Sequence, residues 1–146
     1  MKKLLVLCLT AASLLAAQIH WQKDLKTAIE RAKKVHKPIF FVVSRHSCRW
    51  CVHLERTTFR DPKVIGTLNR DFINVIAFTD DGDFIPRALY SPGTPTLWFL
   101  DERGEPMFRP VEGAIGASDM LRAAGIVRKT YAKERKRAVY GSRPSQ

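Results

Sequence analysis

Hydrophobic residues along the chain follow two patterns: continuous apolar runs, typical of buried strands, and apolar positions at helical spacing. Strands are predicted at 39–43, 72–78, 96–100 and 105–109, the last pairing back on the third as a hairpin. Helices are predicted at 21–36, at 48–56, from 61–62 onward and from 118–119 onward. Because strands alternate with helices early and a hairpin comes late, the predicted fold class is α/β, with a central mixed β-sheet flanked by helices.

Local signals define where several of these helices begin and end. Pro38 ends the first helix, because proline lacks a backbone donor and clashes with the preceding turn. Asp61 before Pro62 is typical of a helix start, with the aspartate as N-cap and the proline in the first turn. The last helix is predicted to face the core with Met120, Leu121, Ala124 and Val127.

Residues 1–17 have the pattern of a secretory signal peptide. Lys2 and Lys3 precede an apolar run, 4–17, that is shorter than the ~20 residues of a membrane-spanning helix. Cleavage after Ala17 is expected, and an uncleaved anchor or a buried N-terminal helix are the alternatives. The protein is therefore predicted to be secreted across the inner membrane into a bacterial periplasm, where thiol–disulfide chemistry is possible.

Length and composition limit the remaining chain to one globular domain. The 146 residues are 45% hydrophobic and 27% charged, which excludes disordered and fibrous proteins. Three cysteines are too few for a disulfide-rich scaffold. The predicted organisation is a signal peptide at 1–17, a domain at 18–127, and a basic C-terminal helix end and tail at 128–146.

The C-terminal tail carries much of the formal net charge of +11, with seven Lys or Arg residues against one glutamate. Two interpretations stay open. The tail is the solvated end of the last helix, where cations are favourable, or it makes a weak contact with an anionic membrane surface or an acidic partner. Nucleic acid is not an expected partner of a secreted chain.

The chemistry of the chain is expected at Cys48-Arg49-Trp50-Cys51, which follows a buried strand and opens a helix. A helix N-terminus presents unpaired N–H groups that stabilise a thiolate. Cys48, nearer the helix start, is therefore predicted to attack a disulfide, and Cys51, one turn later, to resolve the mixed disulfide. The alternative is a structural disulfide or two cysteines that only pack.

The chain resembles the thioredoxin superfamily over 21–127. Within it, the chain is similar to the secreted group that includes the C-terminal domain of membrane-linked thiol:disulfide interchange reductases. The matching stretches are 37–43, Cys48-Arg49-Trp50-Cys51 with Leu54-Glu55, 58–64 and 93–101. The resemblance implies a thioredoxin-like fold, a cis peptide bond before Pro95, and pairing of a substrate backbone at Thr94. Trp50 is assigned with these two residues to the substrate site.

The chain departs from the family pattern around the cysteines. Many members have a buried aspartate six residues before the first cysteine, where this chain has Val42. Cations at His46 and Arg49 are expected to favour the Cys48 thiolate, and a stabilised thiolate makes the disulfide more oxidising. Glu55 is expected to serve Cys51 through water.

The predicted function is that of an extracytoplasmic thiol–disulfide oxidoreductase. It acts on protein or small-thiol disulfides, exchanges electrons with a redox partner protein, and needs no metal or organic cofactor. A second hypothesis is a thioredoxin-fold binding module that delivers metal or holds a client. It rests on four candidate donors for zinc or copper: His46, Cys48, Cys51 and His53.

Overall fold

The computed structural model describes residues 17–141 as a five-stranded sheet covered by helices on both faces. The strands are β1 (Trp21–Gln22), β2 (Ile39–Ser44), β3 (Ile73–Phe78), β4 (Thr96–Leu100) and β5 (Val111–Glu112). The helices are α1 (Leu25–Val35), α2 (Arg49–Arg56), α3 (Pro62–Asp71) and α4 (Ala117–Gly141), with short 3-10 turns at Thr58–Arg60 and Arg87–Leu89. The predicted α/β class with a central mixed sheet is confirmed. The predicted signal peptide lies outside the described residues except for Ala17.

Strand β2 lies in the middle of the sheet, whose order is β1-β3-β2-β4-β5. It runs parallel to β3 and antiparallel to β4, and all six of its residues are buried. Side chains alternate between the two faces of a strand. Phe40 and Val42 accordingly pack into one hydrophobic cluster and Phe41 and Val43 into the other. The continuous apolar run therefore marks a strand that is covered on both faces.

The beginning of the first helix differs from the prediction. Trp21 and Gln22 form β1, which pairs in parallel with β3, and the helix begins only at Leu25. Asp24 is its N-cap and accepts a hydrogen bond of 2.7 Å from the backbone N–H of Thr27. Trp21, which lies before this cap, therefore belongs to the edge strand of the sheet. Helical spacing alone did not separate this strand from the helix.

The predicted strand at 105–109 is wrong. Only an isolated antiparallel bridge between Leu100 and Pro106 forms there, closed by hydrogen bonds from the Asp101 N–H to the Glu105 carbonyl, at 2.8 Å, and from the Met107 N–H to the Phe99 carbonyl, at 2.9 Å. The strand that pairs with β4 is β5, in which Val111 lies opposite Leu97. The chain thus pairs back on the end of β4 at 105–107, as predicted, but it forms a regular strand only at 111–112.

The predicted domain end at Val127 falls inside α4, which continues to Gly141. Tyr131 lies one turn after Val127 and is 9% exposed. Its hydroxyl donates a hydrogen bond of 2.5 Å to Glu102. Every residue from Ala132 to Gly141 is exposed, so the packed part of the helix ends at Tyr131. Within residues 17–141, no helix is both long enough and apolar enough to cross a membrane.

Candidate active site

The turn between β2 and α2 is held in place by one aspartate from a distant loop. The Asp80 carboxylate accepts hydrogen bonds from the backbone N–H groups of His46, at 3.1 Å, and Ser47, at 3.2 Å. The Ser47 hydroxyl also donates to it, at 3.4 Å. Because this turn leads directly into Cys48, Asp80 sets where the first cysteine stands at the end of the sheet.

Cys48 is the N-cap residue of α2, and Cys51 lies in the first turn of the helix. The Cys48 Sγ accepts a hydrogen bond of 3.2 Å from the backbone N–H of Cys51. Both are free thiols; Cys48 is partly exposed and Cys51 is fully buried. A sulfur at an N-cap takes one of the N–H groups that no helical carbonyl satisfies. The predicted attacking cysteine is thus the one that solvent can reach.

The two thiols differ in acidity. Partial burial by itself raises the pKa of Cys48, but hydrogen bonds with Cys51 and Thr94 and with the backbone of Cys51 and Trp50 outweigh it and bring the pKa below its ordinary value. Burial raises the pKa of Cys51, and its hydrogen bond to Cys48 raises it further. A low-pKa exposed thiol beside a high-pKa buried one is the asymmetry that an attacking and a resolving cysteine require.

Thr94 and Pro95 lie beside the cysteine pair, and the peptide bond between them is cis. The Cys48 thiol donates a hydrogen bond of 3.3 Å to the Thr94 carbonyl. Pro95 is buried at the start of β4, and its carbonyl accepts a hydrogen bond of 2.8 Å from the N–H of Gly113. The segment before β4 is therefore fixed on one side by the sheet and faces Cys48 on the other.

Trp50 forms an exposed aromatic surface next to the cysteines, with 53% of its area accessible. The Arg49 guanidinium carbon lies 5.1 Å from the centre of the Trp50 ring, within the range of a cation–π contact. The edge of the His53 ring meets the same indole, with the ring centres 5.7 Å apart. Arg49 therefore packs on Trp50, and the groups that lower the pKa of Cys48 are hydrogen-bond partners rather than the expected cations at His46 and Arg49.

His46 is engaged on the far side of the turn. Its Nε2 lies 2.9 Å from the Asp81 carboxylate, and its ring stacks on Phe78 with the centres 4.0 Å apart. The hydrogen bond to Asp81 raises the pKa of His46 above its ordinary value, although burial acts in the opposite direction. The structure thus supplies His46 with a carboxylate partner that sequence reasoning did not identify.

The four donors proposed for a metal do not come together. Within residues 17–141, one group of three candidate ligands has all its donor atoms within 4.8 Å of one another, and it consists of His46, Asp80 and Asp81. Neither cysteine belongs to it. This arrangement gives the metal-delivery hypothesis no support at the cysteine pair.

Ser44, a residue that the sequence analysis missed, lies near the buried cysteine and bonds to Glu55, which was expected there. Ser44, the last residue of β2, is 1% exposed and donates a hydrogen bond of 3.1 Å to the Glu55 carboxylate. The Ser44 side chain also acts against the rise of the Cys51 pKa. The sequence analysis expected water between Glu55 and Cys51, and the Ser44 hydroxyl can take the place of that water. The sequence signal that could have identified Ser44 was a serine at the end of an otherwise apolar strand.

Solved structures with the same fold include several thiol–disulfide proteins. The chain is 18% identical to a protein named DsbH Oxidoreductase, with a TM-score of 0.59 and coverage of 77% of this chain and 87% of that one. It is 19% identical to a thioredoxin from Thermus thermophilus, with a TM-score of 0.64 and coverage of 75% and 87%. For the oxidised C-terminal domain of DsbD from Neisseria meningitidis, identity is 20%, the TM-score 0.53 and coverage 67% and 88%. These likenesses confirm the thioredoxin-like fold predicted from the sequence.

Curated relatives match a shorter stretch. Spermatogenesis-associated protein 20 from Rattus norvegicus is 33% identical over 58 residues, which are 40% of this chain and 7% of that protein. The human protein of the same name is 32% identical over 57 residues. A family model described as "Thioredox_DsbH: Protein of unknown function, DUF255" matches residues 11–86, more than half of the chain. With its fold, its cysteine pair and this match, the chain belongs to the Thioredox_DsbH family of the thioredoxin superfamily.

Proposed function

We propose that this protein is an extracytoplasmic thiol–disulfide oxidoreductase whose redox pair is Cys48 and Cys51. The observation that carries the proposal is the position of the Cys48 sulfur. It lies at the N-cap of α2 and accepts a hydrogen bond of 3.2 Å from the N–H of Cys51, a bond that favours the thiolate. Stabilisation of a thiolate at a helix start is what a disulfide-attacking cysteine needs. Membership of the Thioredox_DsbH family and the fold shared with DsbH and DsbD support the assignment.

The reaction proceeds in two exchanges. The Cys48 thiolate attacks one sulfur of a substrate disulfide, the substrate S–S bond breaks, and the second substrate sulfur leaves as a thiolate that takes up a proton. Cys51 then loses its proton and attacks the Cys48 sulfur of the mixed disulfide. The S–S bond between Cys48 and the substrate breaks, and the released substrate sulfur takes up a proton. A Cys48–Cys51 disulfide remains, and the substrate has become a dithiol or, for a small-thiol disulfide, two thiols. Two electrons have moved from the cysteine pair to the substrate, and the reverse sequence oxidises a dithiol.

The substrate side of the site is assigned to Thr94, Pro95 and Trp50. The Thr94 backbone faces Cys48 and, as part of an irregular segment before β4, offers groups with which an extended substrate chain can pair. Trp50 provides an exposed aromatic surface next to the cysteines in the chain. Disulfides in proteins or in small thiols are the substrates, and a redox partner protein or a thiol pool returns the cysteine pair to its starting state.

The test is disulfide exchange by the purified full-length protein. It is equilibrated with reduced and oxidised glutathione, and the fraction of Cys48–Cys51 disulfide is read by mass spectrometry after alkylation. A measurable potential between ~−270 mV, as in thioredoxin, and ~−120 mV, as in a strong oxidant, together with turnover of a protein disulfide, is expected. Cys48→Ser removes both turnover and mixed disulfides. Retention of turnover in Cys48→Ser would overturn the assignment.

A further inference from the structure

A basic groove lies at the pole of the molecule opposite the cysteines. It has a volume of about 530 Å³ and runs between α4 on one side and two short segments, 36–38 and 70–71, on the other. Those segments lie where β2 and β3 begin, whereas Cys48 follows the end of β2. Since a strand advances about 3.3 Å per residue, the six residues of β2 separate the groove from the active site by about 20 Å.

Cationic and apolar side chains alternate along the helical wall of this basic groove. The wall residues fall on one stripe of α4: Arg128, Tyr131, Ala132, Arg135, Lys136, Val139 and Tyr140. Their spacing of three or four places them on a single face of the helix. Lys37 and Arg70 add positive charge from the opposite wall, and Asp71 is the carboxylate among the lining residues.

The charge of the groove is not cancelled by its own carboxylate. Arg70 contacts Asp71 at 2.8 Å, and Arg128 lies 3.9 Å from the same carboxylate. One negative charge therefore meets five cations in the lining. The apolar part of the surface is presented at the helix end, where Val139 is 58% and Tyr140 66% exposed.

We propose that the basic groove docks this protein on an anionic phospholipid bilayer. The cations that line the groove can meet the phosphates of lipid headgroups, and the exposed Val139 and Tyr140 at the helix end can reach the boundary with the acyl chains. Docking at this pole leaves Cys48 on the side facing away from the membrane, open to substrates. After Tyr131, α4 continues to Gly141 without burying another residue. Membrane binding gives this exposed extension a role other than stabilising the fold.

The test is co-sedimentation of the full-length protein with vesicles of phosphatidylcholine alone or with phosphatidylglycerol added. Binding is expected only to the anionic vesicles and falls as salt shortens the reach of the charges. Lys37→Glu with Lys136→Glu reverses one cation on each wall. Because each cation near an anionic surface is worth about fivefold in binding, a loss of at least about twentyfold is expected. Arg135 is left intact, because its charge also acts on Glu102.

The matched control is Lys133→Glu with Arg137→Glu, on exposed positions of the same helix that do not line the groove. It makes the same change in net charge and is expected to lose less than about fivefold. An equal loss in both variants would show that net charge alone drives binding. Binding of a soluble polyglutamate peptide without binding of vesicles would overturn the proposal in favour of an acidic protein partner. All variants keep their far-ultraviolet circular dichroism and turn over a soluble disulfide as the unmodified protein does.

Discussion

The Ser44 hydroxyl donates a hydrogen bond of 3.1 Å to the Glu55 carboxylate directly behind the buried Cys51 thiol. Ser44 ends β2, and Glu55 lies one helical turn after Cys51 in α2. Family members with a buried aspartate on the strand have a carboxylate where this chain has the fully buried Val42. Here the carboxylate comes from the helix, and a strand hydroxyl lies between it and the thiol.

Ser44→Ala is expected to slow resolution of the mixed disulfide. The variant removes a side chain that acts against the rise of the Cys51 pKa, so the buried Cys51 thiol loses its proton less readily. The mixed disulfide with a model peptide should last several-fold longer, as measured by quenched-flow mass spectrometry, while attack by Cys48 keeps its rate. Glu55→Gln should act in the same direction, and Glu30→Gln, an exposed carboxylate on α1, should change neither step. Equal slowing of both steps would indicate a general loss of structure.

The Cys48 thiol is expected to titrate below the ordinary ~8.5. Thiolate absorbance is followed against pH in Cys51→Ser, with Cys8→Ser added so that one thiol remains. The reciprocal variant, Cys48→Ser with Cys8→Ser, should titrate above ~8.5 because burial raises the pKa of Cys51. A depressed folded-state pKa stabilises the protein above the unfolded pKa, so this stability is lost as pH falls through the folded value. Identical titrations would contradict the assigned roles.

Trp50→Ala is expected to discriminate between substrate classes. The indole is half exposed beside the cysteines and can cover apolar surface of a protein substrate. Turnover of a protein disulfide should fall several-fold through a higher KM, whereas turnover of oxidised glutathione stays within twofold. Phe84→Ala is the matched control, because Phe84 is 82% exposed and lies outside the described contacts of the cysteine pair. An equal fall for both substrates would indicate that Trp50 affects the reactivity of the cysteines rather than the binding of protein substrates.

Asp81→Asn is expected to lower the pKa of His46 toward ~6.5, because the raised pKa depends first on the hydrogen bond to Asp81. The pKa is read from the imidazole chemical shifts by NMR. A raised folded-state pKa stabilises the protein fully below the unfolded pKa, and this stability is lost as pH rises through the folded value. The variant should therefore be less stable than the parent near pH 6 and equally stable near pH 9. An unchanged His46 titration would contradict the pairing.

Tyr131 is expected to mark the end of the part of α4 that the fold needs. Truncation after Ala132 removes exposed residues and should leave the free energy of unfolding within about 1 kcal/mol. Tyr131→Ala empties a buried site and removes the partner of Glu102, at an expected cost of about 3 kcal/mol, and Tyr131→Phe costs about 1 kcal/mol. Urea unfolding measures all three. A large loss on truncation after Ala132 would show that the exposed extension contributes to folding.

The sequence by itself determined the elements whose signals are local. A continuous apolar run predicted β2 to within one residue, and Asp61 with Pro62 marked the first turn of α3, where the Asp61 carboxylate accepts from the N–H groups of Lys63 and Val64. The place of Cys48 at a helix start also followed from its neighbours in the chain. Such signals act between residues a few positions apart, so a pattern in the sequence carries them.

Tertiary structure decided which distant segments meet at the site. Asp80 holds the turn before Cys48 across more than thirty residues, Thr94 reaches Cys48 from the start of β4, and Tyr131 closes on Glu102. β5 forms at 111–112, where Glu112 lies opposite Thr96 and Val111 opposite Leu97. These contacts depend on strand order, register and packing, which no local spacing encodes. Local sequence signals therefore identified the cysteine pair, and the tertiary fold brought in the groups that set the pKa of each thiol.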